Sequence, residues 1–129
     1  MIAPARQAAY DVIRRVFEEE AYADRAFATA AVRLDPRDRA LAQRLAYGAV
    51  QRMRTLDHAI ETIGKRPLRK LDAPVRAALR LGVYQLGWVD SVPRHAAVNE
   101  SVELVRRARL ERLDSAYIVP WMRGDMKSP

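Results

Sequence analysis

One apolar repeat restricts this chain more than any other feature: it runs from Pro36 to Ile63 at helical spacing. Ala42, Leu45, Ala46, Ala49, Met53, Leu56, Ile60 and Ile63 step by three or four, which aligns them along one face of an α-helix. Uninterrupted, such a helix is about 40 Å long at 1.5 Å per residue. Asp35 suits its N-cap, Pro36 its first position and Gly64 its end. The same period recurs on both sides. Ala5, Ala9, Val12, Ile13, Val16 and Phe17 predict a first helix from Pro4 to about Glu20, and Ala21 to Arg33 reads as a weaker, alanine-rich second. Beyond the connector "KRPLRK", a fourth helix capped at Asp72 or Ala73 turns Val75, Ala78, Leu79, Gly82, Leu86 and Val89 inward. A fifth, from about Arg94 to Leu113, buries Ala97, Val98, Val102, Val105 and Ala108, and a short segment from Ser115 to Met122 is interrupted by Pro120. No stretch sustains period-two alternation. The expected fold is all-α, six or seven helices packed as antiparallel hairpins.

The chain has 129 residues, half of them hydrophobic and 30% charged, enough for one modest core. With no cysteine, a disulfide, a thiol nucleophile and a Cys-ligated metal are excluded. No apolar run approaches the ~20 residues of a membrane span, and the N-terminus lacks the apolar core of a signal peptide. A cytoplasmic protein with no membrane partner is expected. Enzyme signatures are poor. His58 and His95 fall in different elements, and neither a Gly-rich phosphate loop nor a nucleophile motif is present. The chain therefore reads as a non-enzyme with no catalytic residues, no cofactor and no metal.

The positive charge is concentrated. Net charge is +7, and residues 64–80, "GKRPLRKLDAPVRAALR", hold six basic side chains against one acidic. Such an excess suits a polyanion. Lys65, Arg66, Arg69, Lys70 and Arg76 belong to this segment. Arg44, Gln51 and Arg54 share one side of the third helix, and Arg6, Tyr10 and Arg14 share one side of the first. Arginine forks fit phosphates, and tyrosine can stack on an unpaired base. The competing reading is a set of solvated faces with local pairs such as Arg14–Glu18 and Arg15–Glu19. Charge alone favours that plainer reading. Gly48 and Gly82 sit inside helices at a cost of about 1 kcal/mol each against alanine, so a close helix approach is expected at both. Trp88 and Trp121 read as core or edge packing sooner than as base-stacking platforms. Spacing leaves Glu100 either solvent-facing or tucked against a base such as Arg80.

At this point motifs accumulate in order. "RDRALAQRLAYGAVQRMRTLD" and then "RPLRKLDAPVRAALRLGVYQLGWVDSVPRHAAVNESVELVRRA" resemble the NusB-like domain. They are most similar to its version in the bacterial small-subunit ribosomal RNA 5-methylcytosine methyltransferases. "LRLGVYQL", Val92-Pro93 and Ala97-Val98-Asn99-Glu100 are shared in outline with the antitermination factor NusB. The resemblance implies two antiparallel helical subdomains and binding of ribosomal or boxA-like RNA. In the antitermination branch it also implies a ribosomal protein partner. In the methyltransferase branch it implies that the domain precedes a catalytic domain that uses S-adenosylmethionine and cysteine. This chain has neither the length nor any cysteine for that chemistry, and is expected to be the non-catalytic part if it derives from such an enzyme. A homodimeric protein-interaction domain is the remaining alternative. Residues 1–113 form the expected RNA-binding domain. Residues 114–129 form an atypical tail, with Val119 and Pro120 where the family pattern carries its last helix. With the family pattern, Glu100 is expected to be at least half buried and paired with Arg80. RNA binding is expected to depend on Arg6, Arg14, Lys65, Arg66, Arg69 and Lys70 more than on Arg106, Arg107 and Arg109.

Overall fold

Proline opens the first helix, α1 (Pro4–Glu18), at the position where its missing N–H costs nothing. Ala5, Ala8, Ala9, Val12 and Ile13 are buried along it. The computed structural model describes residues 2–113. It continues through α2 (Ala23–Ala30), α3 (Pro36–Gln51), α4 (Met53–Gly64), a 3₁₀ turn (Leu68–Lys70), α5 (Ala73–Trp88) and α6 (Arg94–Leu113). No strand occurs among the described residues, so the all-α expectation holds. Ser115–Met122 lies outside them.

Two helical sets share one core. The first is α1, α2 and α3; the second is α4, α5 and α6; α1 and α5 join them. Side-chain partners show the directions. Arg52, Asp57 and Leu68 meet Tyr84, Arg80 and Arg76, so α4 runs antiparallel to α5. Arg6, Phe17 and Glu18 meet Gln85, Arg80 and Arg76, so α1 also runs antiparallel to α5. Helix α5 is thus the central strut.

The local start signals hold. Asp35 caps α3 by accepting from the Asp38 N–H at 2.8 Å, with Pro36 as the first helical residue. The continuous third helix does not hold. It kinks at Arg52, whose backbone (φ −106°, ψ 20°) leaves the helical region. The ladder bridges the kink: the Arg52 N–H reaches the Gly48 and Ala49 carbonyls, and the Leu56 N–H reaches the Arg52 carbonyl. No proline or glycine stands at the kink, so no local residue announces it. One turn earlier, Tyr84 presses on Gly48, and past the kink Leu56 and Ile60 turn into the core. Leu45, Ala49, Leu56 and Ile60 are buried as expected, Met53 is half-buried, and Ile63 is exposed. Gly64 is the last residue of α4, but the left-handed residue is Lys65 (φ 54°).

Two other faces differ from expectation. On α5 the buried residues are Ala77, Ala78, Arg80, Leu81, Gly82, Tyr84 and Gln85, while Leu86 is exposed. The helix is contacted from several sides, so its inward surface is wider than one stripe. On α6, Ala97 and Leu104 are buried, whereas Val98 and Val102 are exposed. The helix packs mainly on α5, and it reaches the start of α1 through Glu100.

Candidate nucleic-acid interface

The basic segment is folded into a pinned turn. Leu68 is buried and anchors it, and the Leu68 N–H donates to Glu61 Oε2 at 2.7 Å. From the other side Arg76 reaches the Leu68 and Leu71 carbonyls with Nη1. Its Nη2 meets both Glu18 carboxylate oxygens at 2.9 Å. The fork therefore ties the turn to α1. Lys65, Arg66, Arg69 and Lys70 all point outward and are exposed, and with Glu61 and Pro67 three of them line a shallow depression. Arg44, Gln51 and Arg54 are exposed on α3 and α4.

Other expected contact residues are used internally. Arg6 is buried (9% exposed). Its Nε donates to Gln85 Oε1 at 2.6 Å, and its Nη1 lies 3.0 Å from Glu100 Oε2. Glu100 also accepts from the Ala3 N–H at 3.1 Å, and Gln85 donates to the Leu81 carbonyl. Arg6 thus joins α1, α5 and α6, and its guanidinium is engaged inside the protein, contrary to its expected place on an exposed face. Glu100 is largely buried as expected, but its partner is Arg6, because Arg80 is taken. Arg80 forks onto Asp57 (2.8 and 3.2 Å) and stacks over Phe17 at 4.9 Å. Tyr10 is 5% exposed, which leaves no ring face for a base. Arg14 is half-buried, 5.7 Å above the Tyr10 ring. Glu18 is engaged by Arg76 in place of the local Arg14 pair, so Arg76 too is a brace and not a free phosphate contact.

The two helical glycines lie at close approaches. A Cβ on Gly48 would collide with the Tyr84 ring, and one on Gly82 would fall 2.6 Å from Ser101 Oγ. Sequence spacing missed Gln85, Asp57 and Glu18 as partners. For Gln85 a signal existed: it is an amide inside the apolar run "LGVYQLGW".

Arg106 is paired with Glu103 and Arg107 with Gln7, both at 3.4 Å. Among the described residues no group of His, Asp or Glu is placed to hold a metal, and no helix is long and apolar enough to cross a membrane.

The sequence matches the NusB family over residues 3–115. It is 40% identical over 111 residues to a Synechocystis protein named "Probable ribosomal RNA small subunit methyltransferase B", covering 84% of this chain and 25% of that one. It is 37% identical over 78 residues to "Transcription antitermination protein NusB" of Alkalilimnicola ehrlichii, covering 60% of this chain and 44% of that one. The chain therefore spans about a quarter of the first relative's length and under half of the second's. The fold is also that of a chain in the solved "Crystal Structure of a Plectonemic RNA Supercoil". There the TM-score is 0.76 at 24% identity, over 81% of this chain and 79% of that one. The six-helix frame and a match that reaches almost from end to end of it lead to one assignment: the chain belongs to the NusB family.

Proposed function

We propose that the domain binds single-stranded ribosomal or boxA-like RNA without catalysing a reaction on it, and positions that RNA in the cytoplasm for a methyltransferase. The observation that carries this is the pinned turn: Lys65, Arg66, Arg69 and Lys70 are exposed together on a backbone fixed by Arg76 and Glu61. Preorganised cations lose less freedom when they meet phosphates. Arg44, Gln51 and Arg54, exposed on α3 and at the opposite end of α4, and the half-buried Arg14 are further candidate contacts. The relatives named for ribosomal RNA methylation support the choice of RNA.

The test is RNA affinity against salt. Log affinity for a single strand falls with log salt at about −0.7 per phosphate contact. Arg69→Ala/Lys70→Ala is expected to flatten the slope by about one unit or more. Arg106→Ala/Arg107→Ala is expected to change it little, since those side chains already have partners on the protein. An unchanged slope in the first pair, with affinity lost in the second, would move the RNA surface to α6.

A second reading is antitermination with a ribosomal protein partner, or a homodimeric interaction domain. It is supported by a different surface. Val98 and Val102 are exposed on α6, and an apolar groove runs between α5 and α6 along Leu79, Val102 and Val105. Sedimentation over a concentration series, with and without RNA, separates the readings. A concentration-dependent dimer with no RNA affinity would favour this one.

A further inference from the structure

We propose that Trp88 is a stacking platform for one unpaired base of the bound strand, with Arg52 beside it; this rests on the RNA reading above. Trp88 is 39% exposed at the C-terminal end of α5. An indole left in water forgoes much of its hydrophobic gain. Yet this one is held in a defined pose. Its ring lies nearly parallel to that of Tyr84, one turn earlier, with centroids 6.0 Å apart and 9° between planes. Tyr84 is itself 5% exposed and is pressed against the bare backbone of Gly48. The Arg52 guanidinium lies over both rings, 5.8 Å from the Tyr84 centroid and 5.7 Å from that of Trp88. The missing side chain at Gly48 admits Tyr84, Tyr84 backs Trp88, and the kink at Arg52 delivers a cation to both rings.

The surroundings favour a nucleotide. Gln51 and Arg54 flank Arg52 and are exposed, offering amide and guanidinium donors to base edges and phosphates. Asp57, one turn on, is occupied by Arg80. Because α4 and α5 are antiparallel, this end of the hairpin faces away from the basic turn. The two sites are separated by the length of α4, about 18 Å at 1.5 Å per residue. A few nucleotides of extended single strand span that distance, so one strand can place phosphates on Lys65–Lys70 and a base on Trp88. Stacking on an aromatic ring tolerates any base.

The chain has two tryptophans, so Trp121→Phe makes fluorescence report on Trp88 alone. In that background, titration with an unstructured ribosomal RNA fragment is expected to quench Trp88. Trp88→Ala is expected to weaken binding by about 5- to 150-fold with the salt slope unchanged, because no phosphate contact is lost. Trp88→Phe should recover part of the affinity. Arg69→Ala/Lys70→Ala should instead flatten the slope and keep the quench at saturation. If Trp88→Ala is poorly folded by circular dichroism, the same fragment carrying single abasic sites replaces it. One site should then lose both affinity and quench on the unaltered protein. Binding at full affinity without quenching, and insensitive to every abasic site, overturns the platform while leaving RNA binding intact. No binding of RNA at any salt concentration removes the RNA reading and this proposal together.

Discussion

A buried arginine holds three helices together at the residue scale. Arg6 and Glu100 have side chains only 10% and 14% exposed, and breaking such a pair strands a charge in the interior. Arg6→Ala is expected to cost about 3–5 kcal/mol in urea denaturation, without changing the salt slope of RNA binding. A lost slope with normal stability would return Arg6 to the RNA surface. The glycines separate by what lies against them. Gly48→Ala gains helix propensity but drives a Cβ into the Tyr84 ring, a rigid neighbour. A net loss of about 1–3 kcal/mol is expected. At Gly82 the obstacle is Ser101 Oγ, which can rotate, though it then gives up its 2.7 Å bond to the Ala97 carbonyl. A smaller loss is expected there. Gly87 lies in α5 with nothing within 4 Å of its added Cβ. Gly87→Ala should stabilise the protein by up to about 1 kcal/mol, read from the same denaturation midpoints.

Elements carry their own tests. Helix α4 is held by Leu56, fully buried past the kink, so Leu56→Ala is expected to cost about 2–5 kcal/mol. The 3₁₀ turn has two backbone bonds of its own, Lys70 N–H to the Pro67 carbonyl and Leu71 N–H to the Leu68 carbonyl. So short a turn depends on Arg76 from outside. Arg76→Ala should speed amide hydrogen exchange at Lys70 and Leu71 and weaken RNA binding, although Arg76 faces inward. Arg76→Lys should not rescue it, since one ammonium cannot reproduce a fork shared between two carbonyls and a carboxylate. Unchanged exchange in Arg76→Ala would show that Leu68 and Glu61 hold the turn unaided. The elements also show what periodicity can convey. The stripe of α1 and the cap at Asp35 were legible because both are local: spacing sets the first, and a side chain three residues from its partner sets the second. The kink at Arg52 was not legible, because no residue there breaks a helix by its own chemistry.

Across the whole molecule, the polar side chains form a frame and a surface, and these are hard to tell apart in a sequence. Arg6, Arg76 and Arg80 are the same residue type as Arg44, Arg54 and Arg69. The first three meet Glu100, Glu18 and Asp57 from distant parts of the chain, while the others are exposed. Tyr10 and Trp88 part in the same way: the tyrosine read as a stacking ring is buried, and the tryptophan read as core or edge packing lies at the edge, stacked on Tyr84 and 39% exposed. By itself, the sequence determined the helical class, the start of α3, most of the α1 core and the position of the densest positive charge. Each of these follows from residues within a turn or two of one another. The tertiary structure alone decided which arginines are spent inside, which face of α5 and α6 turns inward, and where the long apolar repeat bends. Those outcomes depend on ion pairs and ring contacts across tens of residues, and a buried charge takes whichever partner the packed helices bring within reach.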